Sequence, residues 1–573
     1  MKKLIAMVLV TVMLFALAAC VDSSPNATIS SPSENTPANT PASPNTSTGN
    51  PNTETVQQGN TGDTTVDTSR PLSSDSKRYP SITIAMQLEA NNLQPYSNND
   101  AGCVPILACI YETLLDQYGL TEFSSRLAKN HYEKDATHYI VELYDYIKDS
   151  KGNNIKASDV AFSYKNLIDS GTAPGDFGAY FDSAVATGDY TVEFTWKKPI
   201  DSLTAFGTIM TYCYIVNEAE YKAGDFANKP VGTGPYVVKD YVTGAYTLLA
   251  ANDNYWQKEG LIAARAGRNV QEIRYDIILD AAQRLIALEA GMSSFCQLDN
   301  RVLPDYLSGG KYESKYQVFK YPQTQNQMLL CNMSGNSIMS DINMRLAVFY
   351  AIDVVGMTIA MGPDTNAVAT VDAAPAIPDY LAKWDTPRDD YYFVTDLTLA
   401  KDYLQKAGYN GEKITLLSGN FTTKKLQAEM INTILTQDLG LNIDLQIVEN
   451  AVEQQKSPDS ANWDIYLFSA GSNYTVADKL NRTYGRAYGK VAGLPINFLS
   501  DDMFEDMITR GITTSGYSEQ LMDEIMQYTI DNALSYGLMV GVNYYAYSLC
   551  YANLVNHYNS YIMLPGSCTY YLD

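Results

Sequence analysis

Residues 230–238 read PVGTGPYVV, and a glycine-threonine-glycine set between apolar residues is a spacing that could cradle a phosphate. A GxxxxGK[ST] phosphate loop runs into a helix, so that backbone N–H groups and a lysine converge on the anion. Here Pro235 removes one amide, and Tyr236-Val237-Val238 continues as a strand. The dinucleotide fingerprint fails too, because its third glycine is missing and no helix follows. The glycines are therefore expected to make a backbone turn. Polymer hydrolysis would need an activated nucleophile or two convergent carboxylates. No GxSxG or HExxH occurs, and adjacent acids such as Asp501-Asp502 read as a solvated face. The chain has three histidines, of which His131 and His138 fall near a predicted strand, and its cysteines form no CxxC or Cys/His cluster. Neither a metal site nor a disulfide framework is expected. The chain reads as no enzyme and as needing no cofactor.

The first residues, MKKLIAMVLVTVMLFALAAC, set Lys2 and Lys3 before an apolar run that closes on small residues. That is an export signal over 1–19, and no later stretch is long and apolar enough to span a bilayer. Leu17-Ala18-Ala19-Cys20 resembles the lipobox of bacterial lipoproteins, which implies a lipidated Cys20 at the mature N-terminus. Two or more acyl chains, at about 0.8 kcal/mol per buried CH₂, anchor a protein stably. Residues 20–78 are rich in Ser, Thr, Asn, Pro and Gly and cannot bury a core. As a coil they would reach on the order of 40 Å, a leash that lets a folded body stand off the membrane. The remaining length calls for two or three lobes. A net charge of −24 argues against nucleic acid as a partner.

The elements that must carry any site alternate between strand and helix. Strands are expected at 81–86, 139–143 and 191–196, with a helix between the last two that Ser158 caps. Asp341 and Asp396 cap two further helices, the second closing at Gly408. Strand 414–418, a helix over 422–439 and strand 442–448 form a βαβ unit, so parallel strands are present. The fold class is α/β with mixed sheets.

Several landmarks then appear in one order: Leu93-Gln94-Pro95, Tyr111-Glu112-Thr113-Leu114, Ala157-Ser158-Asp159-Val160-Ala161-Phe162-Ser163, Val231-Gly232-Thr233-Gly234-Pro235-Tyr236, Asn252-Asp253-Asn254-Tyr255-Trp256, Asp341 to Ala347, Tyr350-Ala351-Ile352-Asp353 and Asp396 to Tyr409. Their order resembles the family 5 solute-binding proteins, the extracellular receptors of peptide and related ABC importers. The resemblance spans about 81–553. It implies a two-lobed, periplasmic-binding-protein-like clamshell that closes on a ligand. Lobe I would comprise 79–123, 201–325 and 542–573, an inserted subdomain 124–200, and lobe II 326–541. The implied partners are an ABC permease and ATPase complex and the membrane through the lipid anchor, with the receptor itself a monomer.

In peptide-binding members of this family, an extended ligand pairs with a loop after the Leu-Asp-Pro landmark and with a loop in lobe II that carries an aspartate clamp for the free amine. By the resemblance the first loop is Asn99, Asp100 and Ala101, and the second is Gly471, Ser472, Asn473 and Tyr474. The clamp position is Asn473, and Ala470 stands where the family has tryptophan. Replacing a charge-assisted bond of about 1.5–3 kcal/mol with a neutral amide weakens selection for an ammonium group. An asparagine suits hydroxyls or amides instead. The expected ligand is a peptide or similar polar solute, with an oligosaccharide or blocked peptide as the alternative. Asp100 or Asp478 could supply the clamp if the alignment slips. A sensory receptor of the same fold remains a further reading. The 44 tyrosines, against 16 phenylalanines, fit such a cleft and equally fit a surface of half-buried rings.

Overall fold

The computed structural model describes residues 69–573 apart from 88–91, 97–102, 118–122, 201–202, 258–266, 387–390, 473–474, 486–498, 514–515 and 554–563. Cys20 and residues 21–68 of the expected linker lie outside the described residues, whereas 69–78 pack on the C-terminal segment, Ser73 N–H donating to Tyr570 O at 2.8 Å and Arg70 Nε to Leu572 O at 2.9 Å. Among those described, no single helix is long and apolar enough to cross a membrane.

Two large hydrophobic cores organise the chain into two lobes of mixed α/β structure. The first core gathers Ile82, Ile84, Leu107, Leu114, Val141, Tyr164, Phe194, Leu249, Ile273 and Tyr570. It lies against a four-stranded sheet ordered Tyr79–Met86, Val270–Ile277, Tyr246–Ala251, Tyr236–Val242, whose first pair is parallel. An antiparallel sheet of Ala128–Asp135, His138–Leu143, Thr191–Trp196 and Phe181–Ala186 shares this core. Helix Ala157–Asp169 covers that sheet with Val160, Tyr164 and Leu167, at the 3.6-residue spacing that turns one face inward. Lys156 occupies the N-cap in place of the expected Ser158, and its N–H donates to Asp159 Oδ2 at 2.8 Å. The acid three residues into the helix outcompetes the serine because it reaches back to an amide that has no intrahelical partner.

The second core is built from Leu329, Leu330, Val348, Leu416, Ile431, Leu467, Leu480, Ile525 and Leu538. It packs on a seven-stranded sheet ordered Phe295–Leu298, Ser535–Ser548, Tyr316–Cys331, Ile465–Gly471, Lys413–Gly419, Asn442–Val448, with Asn366–Val368 paired to Ser535–Ser548. Lys413–Gly419 and Asn442–Val448 are parallel and joined by helix Thr422–Gln437, the expected βαβ unit. Asp341 and Asp396 cap their helices as expected, and Gly408 has φ +69° just past the second.

Two strands of this sheet serve both lobes. In Tyr316–Cys331, Phe319 packs against the first core and Leu329 to Cys331 sit in the second. In Ser535–Ser548, Tyr536 and Leu538 belong to the second core and Tyr547 to the first. The two strands pair antiparallel, but their register breaks between Pro322 and Asn326. Proline cannot donate to the ladder, so a discontinuity at that point follows from the sequence.

Candidate functional site

The glycine-threonine-glycine loop is a packing device. A Cβ on Gly232 would lie 2.1 Å from the Ile110 carbonyl oxygen, and one on Gly234 would lie 2.5 Å from that of Cys109. Gly234 N–H donates to Ile110 O at 2.8 Å. The glycines thus let the loop approach the end of helix Val104–Ile110 at backbone distance, and neither needs a positive φ.

That contact brings two of the landmarks together. Glu112 Oε1 accepts from Arg126 Nη2 at 2.9 Å and from the Tyr255 hydroxyl at 2.5 Å, while Oε2 accepts from Trp256 Nε1 at 2.7 Å. The Glu112 side chain is fully buried and that of Arg126 is 2% exposed. The Tyr-Glu and Tyr-Trp landmarks are therefore two halves of one buried network that stiffens lobe I. In lobe II, Arg345 plays a comparable part. Its guanidinium donates to the carbonyls of Met339, Ser340, Asn532 and Ala533 at 2.7 to 3.0 Å.

The second predicted ligand loop begins where strand Ile465–Gly471 ends. Gly471 pairs with Gln325 beside the register break, and a Cβ there would lie 2.5 Å from Thr324 O. Ser472 is buried; its Oγ donates to Asp478 Oδ2 at 2.6 Å and accepts from Thr475 N–H at 3.2 Å. Thr475 caps helix Val476–Tyr484, its hydroxyl accepting from Asp478 N–H at 2.9 Å. Asp379 Oδ1 accepts from Val476 N–H at 2.8 Å. Ser472 and Thr475 are thus both held to lobe II, and Gly471 beside them pairs with one of the strands that join the lobes. Asn473 and Tyr474, and the whole first loop of Asn99, Asp100 and Ala101, lie outside the described residues.

Sequence reasoning missed the side chains that hold this loop. Asp372 accepts from Asn326 Nδ2 at 3.1 Å, Ser535 Oγ at 2.6 Å and the Tyr484 hydroxyl at 3.0 Å, and it pairs with Lys479 in a fully buried cluster. Burial opposes its charge, but Lys479 and the three donors outweigh that and hold the carboxyl below its usual range. Asp372 and Asp379 carry no spacing signal, since their partners are about a hundred residues away: Lys479 at a separation of 107 and Val476 at 97. Gly541 was missed for a similar reason. A Cβ there would meet Gln323 Oε1 at 2.7 Å, so a larger residue would turn the Gln323 carboxamide aside.

Among the described residues, no three His, Cys, Asp or Glu side chains converge as metal ligands.

Comparison with known proteins agrees with this architecture. The family model "Bacterial extracellular solute-binding proteins, family 5 Middle" matches residues 122–490. The oligopeptide-binding protein AppA of Bacillus subtilis is 25% identical over 355 residues, which is 57% of this chain and 61% of AppA. The structure of AppA in complex with a nonapeptide superimposes with a TM-score of 0.66 at 17% identity, covering 86% of this chain and 99% of that one. The solute-binding protein MoaA of A. tumefaciens R10, in complex with mannopinic acid, gives 0.65 at 19% identity, with 86% and 99% covered. These structures share a two-lobed fold over 86% of this chain, and with a family match over more than half of its length the chain belongs to the bacterial extracellular solute-binding proteins of family 5.

Proposed function

We propose that this chain is an extracytoplasmic receptor, held on the cell membrane through a lipidated Cys20. It captures a peptide or similar polar solute between its lobes and passes it unchanged to an ABC permease and ATPase complex. The observation that carries the reading is the pair of lobe-joining strands with a register break at Pro322 to Asn326, beside the Gly471–Ser472 turn. Two lobes with separate cores, joined through an interrupted ladder, are built to hinge. Family membership supplies the role, and the AppA likeness favours a peptide.

A specific observation favours the alternative, an uncharged ligand. One face of the joining strands and of the adjacent strand Phe295–Leu298 carries Gln297, Phe319, Tyr321, Gln323, Asn543 and Tyr545, with no carboxylate, lysine, arginine or histidine among them. Gln297 and Gln323 both donate to Asn543 Oδ1, at 3.1 and 3.2 Å. Carboxamides and aromatic rings suit hydroxyls, amides and sugar faces. This agrees with the amide at the clamp position, Asn473.

The test uses the full-length protein in detergent micelles. Native mass spectrometry should find a copurified solute that is chemically unaltered on incubation. Calorimetry should then find an N-acetylated tetrapeptide or a neutral oligosaccharide bound at least as tightly as the unmodified tetrapeptide. If acetylation costs more than about tenfold, an ammonium clamp exists and the uncharged-ligand reading fails. Chemical conversion of the bound solute would overturn the receptor reading.

A further inference from the structure

Between Cys20 and Arg70 the sequence holds no lysine or arginine, so a protease that cuts after basic residues finds no target along that stretch. Arg70 itself precedes Pro71, whose ring replaces the amide N–H on the leaving side of that bond. The first bonds open to such an enzyme therefore lie at Lys77-Arg78, directly before strand Tyr79–Met86. Lys77 is exposed, yet the backbone around it is folded shut. Ser74 and Lys77 exchange N–H···O bonds of 2.8 and 2.9 Å across a tight turn. Asp75, inside the turn, accepts from Arg268 Nη2 at 2.8 Å. Arg78 Nη1 donates to Asp253 Oδ1 at 2.5 Å and to Gln271 Oε1 at 3.0 Å. The flanks are held too. Ser73 N–H donates to Tyr570 O, Ser73 Oγ accepts from Tyr570 N–H, both at 2.8 Å, and Tyr79 N–H donates to Asn269 O at 2.7 Å.

We propose that Lys77-Arg78 is a latent release site, at which a protease specific for basic residues would part the folded body from the tether, and which the 74–77 turn and its two ion pairs keep closed. Water adds across the peptide bond after Lys77 or Arg78, leaving a carboxylate on the tether fragment and an ammonium group on the body. Enzymes of this kind take several residues on each side of the bond in extended form, as an added strand. Here the residues before the cut are curled into a turn, and the Arg78 side chain, which must enter a specificity pocket, is 13% exposed. Cleavage therefore waits on local opening. The ion pairs govern that opening and reach solvent, since Asp75 is 31% and Asp253 73% exposed. The body has no need of the strap for its cores, because the first core takes its earliest residues from Tyr79 and Ile82. Departure from the membrane rests on reading Cys20 as lipidated; the closed bond does not.

Trypsin is the probe, applied to the full-length protein in detergent micelles, with a synthetic peptide of residues 70–84 as the unfolded reference. Mass spectrometry follows new N-termini at Arg78 and Tyr79. At low salt, cleavage in the protein should be at least about a hundredfold slower than in the peptide. Asp75→Asn combined with Asp253→Asn leaves both cleavable residues in place, removes the partners of Arg268 and Arg78, and should speed the cut about tenfold. Salt at about 0.5 M should speed it several-fold in the wild type, relative to the peptide, by screening the same pairs. The released body should keep its near-ultraviolet circular dichroism and leave the micelle fraction. Cleavage as fast as in the peptide, a double variant no faster than wild type, or a body that unfolds once cut would each overturn the proposal. Should the double variant not fold, the salt response of the wild type decides. If Cys20 carries no lipid, the uncut protein is already free of micelles while the protection and its loss are unchanged, so the two readings fail separately.

Discussion

Glu112 accepts an arginine, a tyrosine hydroxyl and an indole N–H inside a core that water does not reach. Buried ion pairs add little over apolar packing, yet removing one partner is costly because the other charge stays behind. In Glu112→Gln the amide oxygen can still accept from Arg126, but its counter-charge is gone, the new NH₂ would face the Trp256 N–H, and the remaining carboxylate contact of Arg126 is Asp116 at 3.8 Å. We expect a loss of about 3–5 kcal/mol, read from the urea midpoint of lobe I. A loss below about 1 kcal/mol would mean that the network is solvated. Both landmarks in this network were legible in the sequence, as Tyr-Glu and as Tyr-Trp. Their partnership was not, because a separation of 143 residues between Glu112 and Tyr255 leaves no periodic trace. Asp379 shows the same limit more sharply. Nothing in PAIPDY announces a carboxyl that titrates near neutrality, since that property comes from burial and from an anion on a distant helix.

At the scale of elements, the sequence spoke most clearly where local chemistry decides. Capping carboxylates at Asp341 and Asp396, the βαβ unit and the alternating strand Thr191–Trp196 all follow from spacing alone. The helix Ala157–Asp169 was misread by two residues because Asp159, three positions in, captures the free amide of Lys156. The long strands Tyr316–Cys331 and Ser535–Ser548 were not read from the sequence, since their polar outer residues follow no single period across the register break. Two variants separate local from tertiary control. Asp396→Ala removes a cap bond of 2.9 Å to Leu399 N–H and should cost about 1 kcal/mol. Gly232→Ala keeps every hydrogen bond, yet its Cβ collides with backbone and should cost roughly 1–3 kcal/mol or more. Equilibrium denaturation that ranked the cap above the glycine would contradict the close-approach account of the loop.

The whole molecule combines two cores that share strands but few other residues, so its stability should divide along the same line. Arg345 offers a way to test this, because the four carbonyls it ties all belong to lobe II. Arg345→Met would leave those carbonyls without their donor, at about 1–3 kcal/mol for each one that finds no water. Calorimetry of the ligand-free protein should resolve two transitions, with Arg345→Met lowering one and Glu112→Gln lowering the other. A bound solute touches both lobes and stabilises only the closed, folded form, so it should raise and merge the two transitions. The strands Tyr316–Cys331 and Ser535–Ser548 are what could defeat this expectation. If their ladder carries cooperativity through the break at Pro322, both variants will shift a single transition together. In that case the register break is a local irregularity in one cooperative unit, and the hinge must be sought elsewhere in the chain.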